Sequence, residues 1–178
     1  MTNRSDQHDL DKLDRWQKAL TEPRTNGFPV YAVFLVSEAD QAAHDIFRAF
    51  RNSFEQRGAG FGNLVIFGQH GVSSMVHALL SRLTLTRDSI PLLVLLTSHD
   101  DSLVYILPLP PGDASDPNKG ELSDMPLRLL SQVEKFADQA DKAFDDSGLT
   151  EFLRIPLPER DLMTLVSHLV GHINEETK

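Results

Sequence analysis

The chain has 178 residues, a net charge of −9, 40% hydrophobic and 24% charged residues, and no cysteine. That length suits one domain with a sizeable core. The acidic balance, with no visible Lys/Arg cluster, argues against nucleic-acid or anionic-membrane binding, and the missing thiols exclude disulfides, thiolate metal sites and cysteine nucleophiles. No apolar run is long enough to span a bilayer, and "MTNRSDQHDLDKLDRW" has no apolar core, so neither a membrane span nor a signal peptide is expected and a cytoplasmic location is predicted.

Leu10, Leu13, Trp16 and Leu20 fall at helical spacing and predict a helix over 8–20. "TEPRTNGFP" (21–29) reads as a loop, and "VYAVFLV" (30–36) as a strand apolar on both faces. From Asp40 to about Arg57, Ala43, Ile46, Phe47, Phe50 and Phe54 form one helical stripe, closed by Gly58 and Gly60. "NLVIFG" (63–68) predicts a second buried strand, and Ser73 or Ser74 can cap a helix running through Met75, Leu79, Leu80 and Leu83. "SIPLLVLLT" (89–97) and "SLVYILPLP" (102–110) predict a hairpin about the polar turn 98–101. Residues 111–126 have the composition of a mobile loop, followed by a helix on Leu127, Leu130, Val133, Ala137, Ala140 and Phe144. After "DDSG" and the short segment "LTEFLRIPLP", a last helix carries Leu162, Leu165, Val166, Leu169, Val170 and Ile173.

The predicted order is α-β-α-β-α-β-β-α with an extra helix, an α/β protein whose first strand–helix–strand unit is parallel and whose later strand pair is antiparallel. With two local features, this order resembles the thioredoxin fold. That family carries its site on the turn from the first central strand into the long helix, typically Ala-Glu-Trp-Cys-Gly-Pro-Cys-Lys. The corresponding stretch is Ser37-Glu38-Ala39-Asp40-Gln41-Ala42-Ala43-His44, so Asp40 and Ala43 stand at the cysteine positions. "SIPLLVLLTSHDD" looks like the family's Gly-Ile-Pro-Thr-Leu segment, which would make Ile90–Pro91 a cis bond facing that turn.

The resemblance implies a three-layer α/β/α domain over 1–145, with a mixed sheet and a β-hairpin, and leaves 146–178 as a helical extension. It also implies that thiol–disulfide chemistry is absent here, since that exchange needs a thiolate and a resolving cysteine. The function expected is a non-catalytic interaction, chaperone or assembly module; the alternative is a binder of a glutathione-like or nucleotide ligand, or an enzyme, using the cleft at the proline. Glu38, Asp40, Gln41, Ile90 and Pro91 are the candidate binding residues. Asp40 reads first as a helix N-cap, and Pro91 either as architecture or as a place where free main-chain groups meet an extended ligand. The Leu162–Ile173 stripe needs a cover, either its own domain or a protein partner such as a second copy.

Other motifs are weaker. "GQHGVSS" (68–74) imitates a phosphate loop without its Lys. His168 and His172 are spaced i, i+4 but supply half a metal site, and His99-Asp100-Asp101 suits a turn. No catalytic residue, metal or cofactor is predicted.

Overall fold

A computed structural model of the protein describes residues 4–22, 27–97, 103–110, 119–139, 152–157 and 162–176. Among them are five α-helices and five strands: α1 (Arg4–Thr21), β1 (Val30–Leu35), α2 (Gln41–Gln56), β2 (Leu64–Phe67), α3 (Ser74–Arg82), β3 (Leu92–Thr97), β4 (Leu103–Pro108), α4 (Lys119–Gln139), β5 (Leu153–Pro156) and α5 (Leu162–Glu176). Single 3-10 turns at Phe61–Asn63 and Arg87–Ser89 lead into β2 and β3.

The strands form one mixed sheet in the order β2-β1-β3-β4-β5. β1 and β2 run parallel, with Ala32 opposite Leu64, because a helix has to carry the chain back between them. β3 lies antiparallel to β1 and β4 antiparallel to β3, with Val94 opposite Ile106. The chain is therefore not doubly wound.

Alternate residues of β1 serve two separate cores, which is why "VYAVFL" reads as apolar almost throughout. Val30, Ala32 and Phe34 join Ile46, Phe50 and Phe54 of α2 and Val133 and Phe136 of α4. Val33 and Leu35 join Leu13 and Trp16 of α1, Leu79 and Leu80 of α3, and Leu165, Val166 and Leu169 of α5. Helices thus cover both faces of the sheet.

Two segments depart from the sequence reading. α4 begins at Lys119, so residues 119–126 are helical where loop composition predicted a mobile segment. Pro126 keeps a helix-compatible φ and forfeits one bond to the Leu122 carbonyl, a cost of about 3 kcal/mol. Burial of Leu129, Val133, Phe136 and Ala137 further along the same helix offsets it. Residues 111–118, 98–101 and 140–144 lie outside the described residues. The second departure is "LRIP", which adds to β4 as a fifth strand with Ile155 opposite Val104. The sequence reading assigns no element to this short segment, and an edge strand tolerates its proline, a residue with no N–H to donate.

α5 answers the question of its own cover. Leu162, Leu165, Val166 and Leu169 are buried against the chain's own core, and Val170 packs beside them. Only about 10 Å³ of void remains between this helix, Trp16 and the sheet, barely the space of one water. The described part of the stripe is folded back over the domain; the side chain of Ile173 lies outside the described residues.

Candidate functional site

The turn leaving β1 is closed by its own residues. The Ser37 carbonyl accepts the Asp40 N–H at 3.1 Å, and Asp40 Oδ2 accepts both the Ser37 N–H (2.6 Å) and the Ser37 hydroxyl (2.8 Å). Asp40 holds the N-cap position of α2, yet its side chain takes no helix N–H; it points back along the chain. His44 Nε2 lies 3.1 Å from the Ser37 carbonyl oxygen. A carbonyl can only accept, so that nitrogen carries the proton and the imidazole bonds the serine's main chain, leaving Oγ to the carboxylate. Ser37, Asp40 and His44 are therefore neighbours without forming a nucleophile–base pair.

Ile90–Pro91 is cis, as the resemblance implied, and it faces this turn. Ser37, Asp40, Val72, Arg87, Asp88 and Ile90 surround a depression of about 370 Å³. A second depression of about 340 Å³, which shares Asp88 and Ile90 with the first, is lined by Pro91, Leu85, Ile106, Pro108 and Leu153. Leu153 is 53% exposed, unusual for a large apolar side chain. One end of the trough is polar and the other apolar.

Of the five residues singled out in the sequence, the fold brings Asp40, Ile90 and Pro91 to this trough; Glu38 and Gln41 line neither depression. The expectation of free main-chain groups at Pro91 needs correction. The Pro91 carbonyl accepts the Leu109 N–H at 2.9 Å, and the Ile90 N–H is given to the Arg87 carbonyl at 3.1 Å. Those two groups serve the sheet and the turn before β3.

The loop that imitates a phosphate site holds the chain's own carboxylates. Asp9 of α1, only 2% exposed, accepts the Gly68 N–H at 2.8 Å and the Ser73 hydroxyl at 2.6 Å through Oδ2. Asp6 accepts the Ser74 N–H at 2.7 Å, and Ser73 Oγ caps α3 by accepting the Val76 N–H at 3.2 Å. Carboxylates at a helix N-terminus satisfy its orphan donors and its dipole as a phosphate would. Burial pushes the Asp9 carboxyl above its ordinary range, against the pull of its two donors. His8 meets His70 edge-to-face at 4.2 Å, and burial together with the Lys12 and His70 charges lowers the His8 imidazole.

His168 is exposed on α5, while the His172 side chain and His99-Asp100-Asp101 lie outside the described residues. Among the described residues no three His, Asp or Glu side chains gather as a metal would require, and no helix is long and apolar enough to cross a membrane.

One concavity had no counterpart in the sequence reading. It lies at the β2 edge of the sheet, where Lys12 and Arg15 of α1 and Arg51 of α2 meet around about 440 Å³. Arg51 sits far from Lys12 and Arg15 in a chain with no basic run, so only the pairing of α1 with β2 and α2 reveals the group.

Comparison with models of known protein families, with characterised proteins and with solved structures returned no match. The class stated on the geometry is an α/β protein with a mixed five-stranded sheet and no cysteine.

Proposed function

We propose that this chain is a non-catalytic binding module of thioredoxin-like architecture, and that the trough astride Ile90–Pro91 holds a segment of another protein. The observation that carries it is the pair of adjoining depressions, one walled by Asp40, Arg87 and Asp88, the other by Leu85, Pro108 and the exposed Leu153. A polar and an apolar subsite side by side suit a short amphipathic segment. The architecture is supported by the strand order β2-β1-β3-β4 and by the helices packed on both faces of the sheet. Absence of a thiol, and a serine hydroxyl committed to a carboxylate, support a role without covalent chemistry.

A second reading, a small zwitterionic ligand of glutathione-like type, rests on Arg87 and Asp88 presenting opposite charges on one wall. The test is affinity capture with the wild type and with Arg87→Glu combined with Leu153→Asp, followed by calorimetric titration of any captured polypeptide. Loss of one defined polypeptide in the variant, with an unchanged circular dichroism spectrum, is expected. Equal capture by both proteins would remove the trough from the proposal, and binding of glutathione with no polypeptide would favour the second reading.

A further inference from the structure

The cleft at the β2 edge differs in charge from the rest of the molecule. Its walls are Lys12 and Arg15 of α1, Phe47 and Arg51 of α2, and Phe61 of the turn before β2, with Ile66 of β2 on its floor. In a chain of net charge −9, three cations here face one carboxylate, Glu55, which is committed to Arg51 at 2.8 Å. Among the described residues, Lys12 and Arg15 stand in no ion pair. Arg15 lies over the Phe61 ring, 4.8 Å from its centre, and Phe61 is 39% exposed.

Lys12 is the unusual member. Its Nζ donates to the Ile66 carbonyl at 2.9 Å and to Gln69 Oε1 at 2.6 Å, both neutral acceptors. An ammonium has three donors, so one N–H is left over, and among the described residues no carboxylate pairs directly with the charge. Asp9, whose charge reaches Lys12, is already engaged with Gly68 and Ser73.

The same bond decides the kind of occupant. The Phe67 carbonyl accepts the Val36 N–H, so Val65 and Phe67 turn their main chain toward β1 while Leu64 and Ile66 turn theirs toward the open edge. Lys12 occupies the Ile66 carbonyl, a ladder position that an added strand would need, which is how natural sheets blunt an edge. A pairing peptide is thereby disfavoured, whereas a compact molecule fits a space of about 440 Å³.

We propose that this cleft binds a small amphipathic anion, with one carboxylate or phosphate group held by Lys12 and Arg15 and an apolar or aromatic body against Phe47 and Phe61. Burial lowers the Lys12 ammonium from its ordinary value, and an anion placed beside it would offset that desolvation. The site lies on α1, α2 and β2, apart from the Ile90–Pro91 trough, and stands or falls independently of it.

The test is a titration of ¹⁵N-labelled protein with benzoate, phenyl phosphate, inorganic phosphate and the neutral benzyl alcohol, read as amide shifts. Benzoate and phenyl phosphate are expected to move the amides of Phe61, Ile66 and Gln69, with benzyl alcohol and inorganic phosphate much weaker. Arg15→Gln, at an exposed position, is expected to weaken the aromatic anions by about tenfold with the fold intact. Equal shifts by benzyl alcohol would overturn the anion site, and equal binding of inorganic phosphate would overturn the apolar half. Absence of any shift, or shifts confined to the Ile90–Pro91 trough, would overturn the proposal entirely.

Discussion

Replacing Asp9 with alanine tests whether α1 anchors the 68–74 loop. The substitution leaves the buried Gly68 N–H and the Ser73 hydroxyl without their acceptor. An orphaned buried donor costs about 1–3 kcal/mol, so the pair amounts to about 2–6 kcal/mol. Two effects reduce this. The buried carboxyl, held above its ordinary range by desolvation, no longer has to be accommodated, and the Ser73 hydroxyl can rotate. A net loss of about 2–4 kcal/mol is expected, or roughly 5–15 °C in melting temperature for a domain of this size. Trp16, the single tryptophan, is 1% exposed and packs edge-to-face on Phe67 at 5.8 Å, so its fluorescence reports the α1–β2 contact during urea unfolding. A Asp9→Ala protein within about 0.5 kcal/mol of wild type would refute the idea that this carboxylate holds loop and helix together.

The other expectations concern pH, packing and backbone. Because burial raises the Asp9 carboxyl, the folded chain keeps a proton that the unfolded chain loses; this contribution is full below the ordinary value of 3.8 and fades as pH rises through the raised one. The stability of wild type minus that of Asp9→Asn should thus fall as pH rises above 3.8 in urea titrations, and a difference that stays level or grows would contradict the assignment. Leu165→Ala, in the α5 stripe, should cost about 2–5 kcal/mol by thermal unfolding, while Leu153→Ala at the exposed edge should stay near 0.5 kcal/mol. Gly68 has φ +87°, and a Cβ there would stand 1.9 Å from the Val36 carbonyl oxygen, so Gly68→Ala should lose at least about 2 kcal/mol by chemical denaturation.

Local pattern carries much of this molecule. The strands with both faces buried, the α2 stripe ending before Gly58, the Ser73 cap and the proline opening β3 are all legible, because each depends on residues within one or two turns of each other. The sequence also shows that thiol chemistry is absent, since that needs only a residue count. Side-chain destinations are another matter. Asp40 looks like a cap for its own helix, and only the fold turns its carboxylate back onto Ser37. Asp9 looks like one more surface acid on a polar helix, and only docking of α1 against the 68–74 loop buries it.

The α5 stripe announced that it needed a cover without saying which, because hydrophobic periodicity specifies a face and not its mate. "LRIP" became a strand for a related reason: the open edge of β4 supplied the hydrogen bonds that its own composition could not predict. The basic cleft was wholly invisible, since its cations come from two helices separated along the chain. Short-range physics wrote the elements into the sequence. Which charges meet, and which are left facing a cavity, was decided by tertiary packing.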